Sequence, residues 1–419
     1  MKLPSPQFRP KAIKFAWIGL LVYFASYLMR INFAVMMAKI IEDMQVEKSA
    51  LAVVVTCLTV TYGVGQVLSG FLGDKISPRW MVVVGLGLAA ACNVALIFAT
   101  AIPAMAVIWG INGFAHAMLW PPIVRMMSIY LTEEEYGYAA VRVSWGSSFA
   151  TILLYLVAPL LLNVMHWRTV ILLCAVGGMA INLVWFFMSK RLLTDPVNAP
   201  APAKKGEKAS AAPLPRYVIA PILLIMTGIM LQGILRDGVQ NWMPSYLLET
   251  FHIPSEYAIM ATVILGVFSI VSYSAFHLMH RKLFRNEVFC SAVIFAGSAV
   301  SALVLYFVNL YTQWVPVSML AMAVIVSCMH GVNLMLITVV PKRFAKSGRV
   351  STFSGIMNAC TYVGAAIATY GFAVLEESFG WNFTILMWFF VSCAGLAVCL
   401  IATPIWKKFR RDYADNPKI

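Results

Sequence analysis

The chain has 419 residues, of which 61% are hydrophobic and 11% charged, and its formal net charge is +14. This balance excludes a water-soluble globular fold and indicates a protein with many membrane spans. The basic residues are spread over short segments between apolar runs, which argues against a nucleic-acid partner. The eight cysteines are scattered and form no CxxC pair, so no disulfide framework, metal site or cofactor is expected.

Twelve apolar segments are long enough to be membrane-spanning helices. They cover residues 15–40, 50–72, 80–101, 104–131, 141–165, 168–188, 217–248, 257–279, 287–309, 313–340, 350–375 and 382–404. This pattern predicts an all-α polytopic membrane protein made of two pseudo-symmetric six-helix bundles. The predicted domains are a first half (1–188), a linker rich in Pro, Ala and Lys (189–216), a second half (217–404) and a basic tail (405–419).

Most of the 31 Lys and Arg residues lie in the two tails, the linker and the connections on one side of the predicted spans. Short basic connections mark the cytoplasmic side of a membrane. We therefore expect a multi-pass protein of the cell membrane with both termini in the cytoplasm. It is expected to be a monomer surrounded by the lipid bilayer.

The connection after the second span contains Gly70, Asp74 and Arg79. A glycine allows close contact between helices, and an aspartate can pair with basic groups or with the amino end of a helix. This run resembles the loop signature of the major facilitator superfamily. The resemblance implies the major facilitator fold, in which two halves rock around a site near the bilayer midplane. The connection after the eighth span, residues 280–285, keeps the basic charge but not the signature.

Two arginines lie inside apolar spans. Arg30 is in the first span, and Arg236 lies about half the chain length later, in the seventh. An arginine at such a depth costs about 2.5–3.5 kcal/mol on insertion scales unless it snorkels from a helix end or faces a wet cavity or a partner. His116 and His330 form a second pair with a similar separation. Because the guanidinium fork suits phosphate or carboxylate, the equivalent placement of Arg30 and Arg236 predicts one anion site.

Several neighbouring side chains have two interpretations. Asp237 follows Arg236 directly, and the two point about 100° apart on a helix. Asp237 is either a counter-charge for an arginine or a protonatable coupling group. Tyr27, Tyr62 and Trp120 either line a substrate path or pack against other helices.

Three segments carry a closer resemblance: residues 27–33, the Trp-Pro-Pro-x-x-Arg string of 120–125, and residues 234–247. They resemble the organophosphate:phosphate antiporters, which include glycerol-3-phosphate and hexose-phosphate transporters. The resemblance implies that Arg30 and Arg236 hold the phosphate. It also implies that the path is lined by Tyr23, Tyr27, Tyr62, Trp120 and Tyr362.

The chain departs from this family at several positions near the site. Gln66 stands where the family usually has a lysine, and Ile31 replaces a basic residue. Phe149 takes the place of a histidine of the glycerol-3-phosphate branch, and His330 that of a tyrosine. The site therefore has fewer positive charges than a typical member. A monoanion, a phosphonate or a carboxylate remains open as the substrate.

The sequence thus predicts a secondary active transporter of an organic anion. The leading candidate is an organophosphate that is exchanged for inorganic phosphate. The alternatives are a proton- or cation-coupled symporter of an organic acid or phosphonate, and a transporter-like sugar-phosphate sensor. An enzyme is not expected, because the chain has no HExxH, GxSxG or phosphate-cradling glycine loop. The predicted substrate-binding residues are Tyr23, Tyr27, Arg30, Tyr62, Gln66, His116, Trp120, Arg236, His330 and Tyr362.

Overall fold

A computed structural model describes residues 8–198 and 214–416, which contain helices and no strands. The first half begins with a long helix, and its last helix extends to Leu192, past the predicted start of the linker at residue 189. Its helices are α1 (Pro10–Val35), α2 (Met37–Met44), α3 (Lys48–Lys75), α4 (Pro78–Leu96), α5 (Ile102–Ala117), α6 (Trp120–Tyr130), α7 (Glu133–Leu162) and α8 (Trp167–Leu192).

The second half opens with a 3-10 turn, Arg216–Val218, and closes with a π-helical segment, Arg410–Ala414. Its α-helices are α9 (Ile219–Phe251), α10 (Ser255–Ala261), α11 (Val263–Lys282), α12 (Glu287–Tyr311), α13 (Val315–Asn333), α14 (Val340–Lys342) and α15 (Val350–Phe409). Residues 199–213 of the predicted linker and 417–419 of the tail lie outside the described residues. The predicted domain limits therefore stay a prediction.

Eleven continuous helical stretches of the described chain are long and apolar enough to cross a membrane. The last of them runs for 65 residues, whereas a span needs about 20. Gly380 interrupts it with φ 74, a backbone conformation that favours glycine. This stretch therefore holds two spans, at the positions predicted from the sequence. The all-α polytopic fold with twelve spans is confirmed.

The structure corrects several of the predicted spans. The fifth, predicted over 141–165, begins at Glu133, and the eighth, predicted as one helix over 257–279, is divided between α10 and α11. The first span begins at Pro10 and ends at Val35, where α2 takes over, instead of covering 15–40. The fourth, predicted as one helix over 104–131, is divided between α5 and α6, since the prolines of the Trp-Pro-Pro string have no N–H to donate. The tenth, predicted over 313–340, contains a π-helical segment, Leu334–Val339, just before Pro341.

Both terminal segments lie at the same end of the bundle. Near the amino terminus, Arg9 donates to the Glu135 carboxylate, and near the carboxyl terminus, Arg410 donates to Glu287 at 2.9 Å. The end that carries Arg9, Arg281, Lys342 and Arg410 is called the basic face below. This placement agrees with an even number of spans.

The two halves touch mainly along two pairs of helices, α7 with α11 and α3 with α15. Trp145 of α7 donates to the Ile270 carbonyl of α11 at 3.0 Å. Helices α3 and α15 approach so closely that a Cβ on Gly355 would lie 2.2 Å from the Gln66 carbonyl oxygen and 2.8 Å from the Gly70 Cα. Small residues at such crossings allow two helix backbones to meet.

Polar contacts join the halves at the basic face. The Asp74 carboxylate accepts from the backbone N–H groups of Ser351 and Thr352 at 2.9 and 2.8 Å, so it caps the amino end of α15. Glu133 pairs with Lys342 at 2.6 Å and with Arg343 at 3.3 Å, and Glu134 pairs with Arg281 at 3.0 Å. All ion pairs between the halves that the described residues show lie at this face.

The close approach of α3 and α15 at Gly355 can be tested by mutation. We expect Gly355→Ala to lower the melting temperature of the purified protein, because the new methyl meets backbone atoms that no rotamer change can move aside. Overpacking of this kind costs roughly 1–3 kcal/mol. Gly371→Ala in the same helix is the matched control, because a Cβ there meets nothing within 4 Å. Equal melting temperatures for the two variants would contradict the close contact.

Candidate functional site

Arg30 of α1 lies in a cage of tyrosines. Its guanidinium carbon is 4.7 Å from the ring centre of Tyr27 and 4.3 Å from that of Tyr62 on α3. Its Nη2 donates to the Tyr362 hydroxyl on α15 at 3.1 Å. Cation–π contacts of this kind contribute about 0.5–2 kcal/mol each. The charge is thus stabilised without a carboxylate, by side chains from both halves.

Amide side chains brace α1 directly beside Arg30. Asn93 of α4 and Asn112 of α5 both donate to the Met29 carbonyl, at 3.0 and 3.2 Å. Asn32 donates to the Asn93 side chain at 2.8 Å. Asn93 was not among the residues predicted from the sequence, although an asparagine inside an apolar span is a usable signal. These contacts fix the turn of α1 from which Arg30 projects.

Arg236 of α9 is held by its neighbour in sequence. Its Nε and Nη2 donate to the two carboxylate oxygens of Asp237 at 2.7 and 3.0 Å. Although consecutive residues point apart on a helix, the long arginine folds back to form a bidentate pair. The side chains of Arg236 and Asp237 are 13% and 20% exposed, so solvent reaches both.

The two arginines are arranged around the same tyrosines. Arg30 contacts Tyr27 and Tyr362, and Arg236 lies within electrostatic range of the same two tyrosines. Tyr62 and Tyr362 meet edge to face with ring centres 4.6 Å apart. The structure therefore brings the two predicted arginines and three of the predicted tyrosines to one place between the halves.

The two histidines have matching environments in the two halves. His116 Nδ1 lies 3.0 Å from the Ser26 hydroxyl, and His330 Nδ1 lies 2.9 Å from the hydroxyl of Tyr273. His116 lies within electrostatic range of Arg30, and His330 lies within electrostatic range of Arg236. Tyr273 on α11 was missed in the sequence analysis, since nothing in its own segment sets it apart from other aromatic residues.

Three predicted residues remain: Tyr23, Trp120 and Gln66. Tyr23 lies between Tyr27 and Trp120, with ring centres 5.3 and 4.9 Å away. Trp120 is buried, and Gln66 is fully buried where α3 meets α15. In this state neither Trp120 nor Gln66 reaches an open surface, so their predicted contact with substrate stays a prediction.

The residues of the loop signature act at the basic face rather than at the arginines. Asp74 caps α15, which is one of the two partners that the sequence suggested. Arg125 of α6 donates to the Gly73 carbonyl and lies 3.8 Å from Asp74. Arg79 instead donates to Ser189 and to the Phe186 carbonyl of α8, at 2.8 and 2.7 Å. Asp74 therefore connects the two halves, whereas Arg79 connects helices within the first half. The contacts of Asp74, Glu133 and Glu134 between the halves are called the clasp below.

This arrangement provides two guanidinium forks, several hydroxyl groups and one carboxylate in a partly desolvated space. Such a set can bind an anion by charge-assisted hydrogen bonds. Within the described residues, no group of three or more His, Cys, Asp and Glu side chains could hold a metal ion.

Comparisons with known proteins agree with the fold. The chain is 23% identical to a probable hexose phosphate transport protein of Chlamydia trachomatis serovar D, with 97% of this chain and 93% of that protein covered. It is 23% identical to a glycerol-3-phosphate transporter of Bacillus subtilis strain 168, with 92% and 90% covered.

The crystal structure of the transporter FucP in the outward conformation has the same fold. It superposes with a TM-score of 0.69 at 13% identity, covering 94% of this chain and 99% of FucP. The sequence pattern of the Major Facilitator Superfamily matches residues 19–369. The chain therefore belongs to the Major Facilitator Superfamily, a family of membrane transporters and not of enzymes.

Proposed function

We propose that this protein is a secondary active transporter of an organic anion. The leading candidate is an organophosphate, which the protein exchanges for inorganic phosphate. The observation that carries the proposal is that Arg30 contacts Tyr27 and Tyr362, while Arg236 of the other half lies within electrostatic range of both. The relatives named as hexose-phosphate and glycerol-3-phosphate transporters support an organophosphate as the substrate.

The proposed binding mode follows from the charges. Two guanidinium groups in a region of low dielectric repel each other unless an anion lies between them. In the structure, Asp237 balances Arg236, and the tyrosine cage stabilises Arg30. A phosphate group takes the bidentate place of Asp237 on Arg236 and bonds to Arg30 from the other side. The anion then holds the two halves together at the site.

Alternating access requires the basic face to open. Four polar side chains at the α3–α15 crossing have buried atoms without a hydrogen-bond partner: Gln66, Ser69, Ser351 and Ser354. Buried polar atoms of this kind cost about 1–3 kcal/mol each, and water would satisfy them once the helices separate. The stabilisation from the contacts between the halves is therefore partly offset by these buried polar groups, which favour opening.

The proposed orientation follows the positive-inside rule. The basic face lies in the cytoplasm with both termini, and the protein is closed on that side. Opening needs the Glu133, Glu134 and Asp74 contacts to break while the site stays occupied. One chain contains both halves, so a monomer suffices for transport.

The exchange proposal is tested by counterflow into lipid vesicles that contain the purified protein. Vesicles loaded with inorganic phosphate are expected to take up labelled glycerol 3-phosphate or hexose 6-phosphate, and vesicles loaded with chloride are not. Uptake that is independent of internal phosphate but driven by an imposed pH gradient would contradict exchange and favour symport.

The role of Asp237 separates exchange from symport. We expect Asp237→Asn to retain phosphate exchange and to bind phosphate several-fold more tightly, because the carboxylate that competes for the Arg236 fork is gone. The empty protein should also melt at a lower temperature, since Arg236 loses its partner. Isothermal titration and counterflow measure these effects.

The matched control for this variant is Glu377→Gln, which removes one exposed negative charge at the other end of the bundle. A proton-coupling role predicts a different result. In that case an imposed pH gradient would drive uptake by the wild-type protein, and Asp237→Asn would abolish this uptake without binding phosphate more tightly.

A further inference from the structure

A basic groove lies at the surface of the first half, away from the arginine site. It has a volume of about 610 Å³ and runs between the amino end of α1 and the carboxyl end of α8. Four cationic side chains surround it, and apolar side chains form its floor. The cations are Arg9, Lys11, Lys14 and Arg191.

The positive charge of this basic groove is only half neutralised. Arg9 pairs with Glu135, and Lys11 pairs with Asp195 at 2.8 Å. The side chains of Lys14 and Arg191 are exposed and have no acidic partner among the described residues. The groove thus keeps two unpaired cations that project from two different helices.

The floor of the groove is apolar and faces outwards. Phe187 is 69% exposed and Met188 is 39% exposed. Trp17, one helical turn after Lys14, is 47% exposed on the outer surface of α1. An exposed tryptophan near the end of a span is typical of the boundary between lipid headgroups and acyl chains. The cations therefore lie at headgroup depth, and the apolar floor lies beside the first part of the acyl chains.

We propose that the basic groove binds an anionic phospholipid, with the headgroup phosphate between Lys14 and Arg191 and the upper part of an acyl chain against Phe187 and Met188. Charge complementarity selects an anionic headgroup over a zwitterionic one. The apolar floor selects a lipid over a free phosphate ion, which would gain nothing from it. The proposal does not depend on the transport function.

Native mass spectrometry of the full-length protein in detergent tests this site. Phosphatidylglycerol and phosphatidylcholine with identical acyl chains are added separately, and the bound lipid is counted. The wild-type protein is expected to retain phosphatidylglycerol in preference to phosphatidylcholine. The double variant Lys14→Gln/Arg191→Gln should bind phosphatidylglycerol at least about tenfold more weakly and phosphatidylcholine as before.

The matched control is Lys282→Gln/Arg285→Gln, which removes one lysine and one arginine, both exposed at the basic face of the second half. This control should bind phosphatidylglycerol like the wild type. An equal loss in both variants would mean general surface charge and would overturn the site. Displacement of the lipid by millimolar inorganic phosphate would assign the groove to a free anion and would also overturn the proposal. Equal melting temperatures of the two variants verify that both are folded.

Discussion

The cost of placing two guanidinium groups inside a membrane protein is the constraint on which the rest of the site depends. The two halves compensate for this cost in different ways. Arg30 is surrounded by tyrosine rings and donates to Tyr362 of the other half, whereas Arg236 carries its own carboxylate, Asp237. In the proposed binding mode, an arriving anion meets little competition at Arg30 but must displace Asp237 from Arg236. This asymmetry within a pseudo-symmetric fold is what would couple binding to a rearrangement of one half.

The clasp at the basic face supplies the other side of the balance. Asp74 caps α15, and the ion pairs of Glu133 and Glu134 hold the halves together there. The Glu134 ion pair is exposed and contributes little, about 0–1 kcal/mol, whereas the Asp74 side chain is only 10% exposed. Beneath these contacts, the partnerless side chains of Gln66 and Ser354 oppose closure. Opposing contributions of this kind suit an equilibrium that one bound anion can shift.

Much of the fold could be predicted from the sequence, because each span is longer and more apolar than any soluble helix requires. The arginines and the loop signature were equally visible, since a charge in an apolar span has few explanations. The prediction failed where local backbone chemistry decides the helix, as at the Trp-Pro-Pro string. It also missed Asn93 and Tyr273, because their roles depend on which helices become neighbours. The bidentate pair of Arg236 and Asp237 could not be predicted, because side chains of consecutive residues on a helix point in different directions.

The central claim is that Arg30 and Arg236 bind the same anion, and a double-mutant cycle on binding tests it most directly. Affinities for inorganic phosphate and glycerol 3-phosphate are measured by isothermal titration for Arg30→Lys, Arg236→Lys and the double variant. Arg285→Lys serves as the exposed control. Each single variant should lose about tenfold in affinity or more, because lysine lacks the fork, and the losses should be coupled by at least about 0.5 kcal/mol. Strictly additive losses, or wild-type binding by either single variant, would contradict the account.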